Sequence, residues 1–160
     1  MSVRVCLPAI AVLLMSACQS SADYKTPELD VSVELSEAAQ AKLSALGEDL
    51  KVVAFFDGDS KNGPSEKNAP FRAVYLGSVE ATTKPGRTAH LNGIGFSREQ
   101  SAQLVKGEYH LLLNVVSGRR VASSNLLNCE NPELLISASP PAPIRSINVK
   151  CALIGERAGA

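Results

Sequence analysis

The fold this sequence predicts is an antiparallel β-sandwich with two short helices in its connections. Three observations predict it. Short apolar or alternating runs recur along the chain, most clearly residues 50–56 (LKVVAFF) and 109–116 (YHLLLNVV). Clusters of Gly, Pro, Asn, Asp and Ser separate these runs, as turns separate strands. Only two stretches combine helical spacing with caps, and both are short. Seven or so strands with two inserted helices make the body mainly β and fit two packed sheets. The alternative is an α+β fold with the helices on one face of a single antiparallel sheet.

Residues 19–28 (QSSADYKTPE) are polar and aperiodic, the composition of a flexible tether able to span ~30 Å. The globular domain is expected from residue 30 to residue 155. Val31, Val33 and Leu35 alternate with Ser32 and Glu34, as in a half-buried strand. Ser36 then takes the N-cap position, Glu37 falls in the first helical turn, Ala39, Leu43 and Leu46 repeat at helical spacing, and Gly47 ends the helix. The near-continuous apolarity of residues 50–56 predicts a strand central in its sheet. Residues 57–69 form a long polar loop rich in Gly, Asn and Asp. Residues 71–80 resume β-like sequence, with two candidate inward faces: Phe71, Ala73, Tyr75 and Gly77, or Arg72, Val74 and Leu76.

Pro85-Gly86 marks a turn before a short strand at residues 88–91. Ser97 and Gln100 have capping-box spacing and open a helix through Val105, ended by Gly107. Residues 109–116 form a second core strand that turns at Ser117-Gly118. A segment at 121–128 and a short strand at 134–137 follow. Pro140, Pro141 and Pro143 exclude a ladder and favour an extended crossover. Ile147, Val149, Cys151 and Leu153 alternate in the closing strand, and residues 156–160 look frayed. Transthyretin-like and immunoglobulin-like sandwiches both accommodate this pattern.

The first eighteen residues stand apart. Arg4 precedes an apolar run at residues 5–15, shorter than the roughly 20 residues needed to cross a bilayer; small residues follow it, as at a secretory cleavage site. Leu14-Met15-Ser16-Ala17-Cys18 resembles the lipobox of bacterial lipoproteins, with Met15 in place of the usual Leu. The resemblance implies a signal peptide at residues 1–17, cleavage before Cys18, diacylglycerol on its sulfur and a further acyl chain, such as palmitate, on its amino group. Residues 18–29 then serve as lipidated cysteine and tether. Several acyl chains anchor stably where one does not. Gln19, where an Asp would favour inner-membrane retention, implies sorting to the outer membrane, facing the periplasm. Inner-membrane retention or a soluble periplasmic product of an ordinary signal peptide are the alternatives.

Loss of residues 1–17 leaves 143 of 160 residues, enough for one domain. Of the 16 basic and 16 acidic side chains only Arg4 leaves with the leader. The resulting balance offers no phosphate-binding face, which argues against nucleic acid. Trp is absent and aromatics are 4% of the chain, too few for a stacking platform. With Cys6 removed and Cys18 acylated, Cys129 and Cys151 remain as an even pair in an oxidising compartment. They predict one disulfide.

Candidate sites are sparse. Asp57, Asp59 and Glu66 sit in the acidic loop, but an EF-hand would need an oxygen ligand at Lys61, Gly at Asn62 and Glu at Asn68. His90 and His110 are the only histidines and would form a metal pair if their strands were neighbours; His110 is out of phase with Leu111 and Leu113, which predicts a solvent-facing position. No nucleophile elbow or phosphate loop is present, since Gly93-Ile94-Gly95-Phe96-Ser97 uses its serine as a helix cap. Arg119-Arg120 follows a hairpin-like Ser-Gly and could grip an anionic partner. No catalytic residue, resident metal or cofactor is predicted. The expected function is a non-enzymatic binding or assembly module of the cell envelope, held to the membrane through Cys18 and meeting an envelope protein partner through residues 57–69 or 119–125. The alternatives are a loop-based inhibitor of an envelope hydrolase and a metal-binding protein using His90 and His110.

Overall fold

The computed structural model describes residues 24–63, 73–138, 143 and 145–156. The leader, Cys18, residues 64–72 (the rest of the polar loop with Phe71 and Arg72 of the next stretch), Pro140 and Pro141, and residues 157–160 of the expected frayed end lie outside them. In chain order the elements are β1 (Tyr24–Lys25), β2 (Leu29–Leu35), α1 (Glu37–Leu46), β3 (Leu50–Gly58), β4 (Val74–Thr83), β5 (Ala89–Leu91), β6 (Gly95–Phe96), α2 (Arg98–Gln103), a 3₁₀ turn (Val105–Gly107), β7 (Glu108–Ser117), β8 (Leu127–Cys129), β9 (Glu133–Ser137) and β10 (Arg145–Leu153). The fold is mainly β, with two four-stranded sheets ordered β5-β2-β10-β8 and β4-β3-β7-β9. A two-stranded ribbon pairs β1 with β6.

The two large sheets form a sandwich around one core. Leu29, Val31, Leu91, Leu127 and Val149 of the first sheet share it with Leu50, Val52, Ala54, Phe56, Leu111, Leu113, Val115 and Ile136 of the second. Each fully buried side chain of this size contributes about 1.5–3 kcal/mol by leaving water. β3 is central, with β4 and β7 antiparallel on either side, as its continuous apolarity predicts. Leu50 stands opposite Thr83 and Ser117, and Asp57 opposite Tyr75 and His110, so β3 fixes which residues meet at each end of the sandwich. Val74 and Leu76 face the core and Tyr75 is half-buried, which chooses between the two candidate faces of that strand.

Both helix caps form. Ser36 accepts from the Ala39 amide, and Gly47 ends α1 in the left-handed conformation (φ 64°). Ser97 and Gln100 complete a capping box, but α2 ends at Gln103, because Leu104 turns extended to bridge Ser60.

Three expectations need correction. The first sheet is mixed: β10 runs parallel to β2 in register from Arg145↔Leu29 to Cys151↔Leu35. The crossover returns the chain to the end where β2 begins, so the last strand starts beside the first long one. The stretch 18–29 is not all tether, since Tyr24 stacks on Phe96 at 5.5 Å and Thr26 is buried. The Thr26 amide donates to the Ile94 carbonyl, and its hydroxyl accepts from the Ile94 amide, both at 2.9 Å. A two-residue strand is too short to show a period. Glu156, expected in the frayed end, is held in place. The Glu156 carboxylate accepts from Ser36 Oγ (2.7 Å) and the Leu153 amide (2.8 Å), and these bonds lower its pKa, the Ser36 hydroxyl most.

Cys129 and Cys151 stand directly opposite each other on β8 and β10 and are disulfide-bonded, closing a separation of 22 residues. The bond therefore joins two paired strands rather than a strand and a loop. Replacing both cysteines by alanine is expected to lower unfolding free energy by ~3 kcal/mol on the chain-entropy account. Leu111→Ala, at a fully buried position, is expected to remove about 3 kcal/mol with the disulfide intact. Urea unfolding of the two variants measures both.

Candidate functional site

The two histidines do not meet. His90 lies on β5 in the first sheet, where its Nδ1 is 2.8 Å from Asp30 Oδ1 on the neighbouring strand. That hydrogen bond raises the His90 pKa, and both side chains are exposed. His110 lies on β7 in the second sheet, out of phase with the buried Tyr109 and Leu111, as its position in the sequence predicts. Its Nδ1 is 2.7 Å from Glu133 Oε1 on β9. Each histidine thus has its own carboxylate on a different sheet. Among the described residues no group of three or more His, Cys, Asp or Glu comes together as a metal site.

The acidic loop is partly drawn into the fold. Asp57 is a buried residue of β3 beside a bulge, and the Asp59 carbonyl accepts from the Val105 amide at 2.9 Å. The Lys61 amide donates to the Gln103 carbonyl, so residues 59–61 are zipped to the segment after α2. Glu66 lies outside the described residues.

The most highly organised polar arrangement centres on Glu48, which no sequence motif announces. It sits in the short turn between α1 and β3, with 2% of its surface exposed. Its carboxylate accepts from three consecutive backbone amides of the loop after β7: Arg120 (2.8 Å), Val121 (2.9 Å) and Ala122 (3.1 Å). The Arg120 amide does most to hold its pKa down to about 2, helped by the other loop amides and that of Asp49, against the opposing effect of burial. Amides of successive residues can converge on one anion where the chain bends through a left-handed residue. Arg119 supplies that bend at φ 58°. Gly118 allows the close approach, because a Cβ there would lie 3.2 Å from both the Asp49 carbonyl oxygen and Glu48 Oε1.

The rest of the loop is framed as closely. The Gly118 amide donates to the Asp49 carbonyl (2.8 Å), and the Arg120 guanidinium pairs with the Asp49 carboxylate (2.7 Å). At the far end Asn125 Oδ1 accepts from the Ser117 and Leu127 amides, and Ser117 Oγ accepts from the Leu126 amide. The exposed tip of residues 119–121 therefore stands on a fixed base. A cleft of about 270 Å³ beside it is lined by Gln40, Ser44, Glu48, Asp49, Lys84 and Arg120. Lys84 and Asp49 also line an adjoining cleft of about 380 Å³ with Arg87.

This site and the chain's first described residue occupy opposite ends of the sandwich. Asp49, Lys84 and Gly118 flank the Leu50↔Thr83 and Leu50↔Ser117 register pairs. Tyr24 stacks on Phe96, which packs edge-on against Tyr109 at the other end of β7. The length of β3, Leu50–Gly58, separates the two ends by roughly 27 Å. Residues 57–61 lie at the Tyr24 end. The described part of the acidic loop and the loop at residues 119–125 therefore lie at opposite ends of the sandwich.

No protein-family model, curated protein or solved structure matches this chain.

Glu48→Gln leaves one acceptor oxygen where two served three amides, and is expected to lower stability by about 2 kcal/mol at neutral pH. A folded-state pKa below the ordinary 4.5 stabilises above that value and loses the contribution as pH falls towards 2. The gap between wild type and Glu48→Gln in thermal melts is therefore expected to close between pH 5 and pH 2 or so. Arg119→Gly, which removes the left-handed strain but adds unfolded-state freedom, is expected to leave the melting temperature within about 2 °C.

Proposed function

We propose that the chain is an outer-membrane-anchored periplasmic lipoprotein whose folded domain is a non-enzymatic binding or assembly module of the cell envelope. The observation that carries this reading is the cysteine pairing. Cys129 and Cys151 are bonded to each other, which leaves the sulfur of Cys18 for the diacylglycerol its lipobox-like surroundings call for. A structural disulfide also suits an oxidising compartment.

Two further features support the reading. β1 starts at Tyr24, and a tether of residues 19–23 would reach about 17 Å. That holds the Tyr24 end near the headgroups. The titratable groups, moreover, are used to hold backbone. Glu48 pins a loop, while Asp30 with His90 and Glu133 with His110 join neighbouring strands. A rigid scaffold presenting a pinned loop is the usual form of a recognition module.

Cys18→Ala is expected to move the protein from the membrane fraction to the soluble periplasmic fraction and to abolish incorporation of labelled palmitate. Retention in the membrane with undiminished labelling would refute lipid attachment.

A further inference from the structure

The end of the sandwich far from Tyr24 carries positive charge that the fold does not use. Asp49 is engaged by Arg120, and the buried Glu48 by backbone amides. Lys84, Arg87 and Arg119 are exposed and have no carboxylate partner among the described residues, whereas Lys25 and Lys51 pair with Glu28 and Glu80. Lys84 lines both adjoining clefts, with Arg120 in one and Arg87 in the other, and Arg119 stands next to Arg120 at the loop tip, on a protein with no net charge.

Arg119 is the telling residue. Its backbone is left-handed, a conformation that suits glycine and strains an ordinary side chain. The Glu48 nest needs that bend but makes no use of the guanidinium. Glycine would make this bend without strain, and the arginine in its place adds an exposed cation at the loop tip. Val121 beside it is 61% exposed, an apolar contact at the tip of a loop already fixed at both ends. A pre-ordered loop loses little conformational freedom on binding.

We infer that this end is a docking surface for an acidic peptide segment of a partner protein, gripped by Lys84, Arg87 and Arg119 with Val121 packing against its apolar part. The inference rests on the proposed function only for the kind of partner and for the direction this end faces. Anchored near Tyr24, the domain turns the cationic end away from its own membrane by roughly the length of β3, which favours a protein over lipid headgroups.

The test uses the protein produced from the full chain bearing Cys18→Ala, so that binding is measured without the anchor. A fluorescein-labelled octaglutamate peptide carrying one leucine is titrated at low salt, beside its glutamine counterpart and phosphatidylglycerol vesicles. Saturable binding of the acidic peptide is expected, weakened by salt, with amide shifts at residues 84–87 and 118–122. Lys84→Ala/Arg87→Ala/Arg119→Gly is expected to weaken it by about tenfold or more while leaving the fold intact. Equal binding of the glutamine peptide, unchanged affinity in the triple variant, or preference for vesicles over peptide would overturn the inference. Fractionation of Cys18→Ala tests the anchor alone, so the two readings fail separately.

Discussion

The first sheet has no middle until the last strand arrives. β10 lies between β2 and β8, parallel to one and antiparallel to the other, and without it β5-β2 and β8 have no contact along the ladder. Residues near the two ends of the chain must therefore meet before half of the sandwich exists. Loop closure over that distance is a slow step, and its cost in entropy grows only gradually with length. Three features secure the arrangement once it forms. The disulfide holds β10 to β8. The Ser36 amide bonds the Cys151 carbonyl, and the Glu156 carboxylate bonds Ser36 Oγ, which ties the end of β10 to the start of α1. α1 then carries the chain from the first sheet to the second, ending at the Gly47 cap.

That cap leads directly into the Glu48 turn, so the closure of the first sheet and the shape of the loop after β7 are coupled. The same turn that starts β3 supplies the carboxylate pinning residues 120–122, and its Asp49 both accepts from Gly118 and pairs with Arg120. A core of aliphatic side chains settles how the sheets pack, but it is indifferent to the conformation of an exposed loop. Polar groups with fixed directions are required for that. One buried carboxylate with three amide partners satisfies it, since leaving such a group unpaired would cost more than the net gain of any one bond.

Much of the fold was legible because its signals are local. Alternation and apolar runs located β2, β3, β7 and β10; Ser36, Gly47 and Ser97 marked helix ends; the phase of His110 against Leu111 told which way it faces. What was not legible is long-range or aperiodic. β1 has two residues and thus no period. The parallel pairing of β2 with β10 depends on which end of the sandwich the crossover reaches, which no residue near either strand encodes. Glu48 could not be distinguished from any other surface glutamate, because its amide partners lie 72 to 74 residues downstream. The one usable hint was Gly118 followed by two arginines, where a glycine permitting close approach adjoins a residue that must itself bend. The acidic loop drew attention through composition, yet its described part is drawn against the Leu104–Val105 segment.

The register of β3 constrains any account of how the molecule is used. Its first residue lies beside the Glu48 turn and its last beside Asp59, so that turn and residues 59–61 stand roughly 27 Å apart. A short tether at the Tyr24 end would keep the acidic loop close to the headgroups and turn the basic one outward. Attraction between Lys84, Arg87, Arg119 and an acidic segment acts only over about a Debye length, near 8 Å at physiological salt. Under the proposed anchoring it would operate where a partner approaches from the side away from the membrane, and hardly at all on a ligand at the tethered end. The same geometry gives the charge balance of the molecule a meaning that its net value conceals: the formal charge is zero in sum, while Lys84, Arg87 and Arg119 gather at one end.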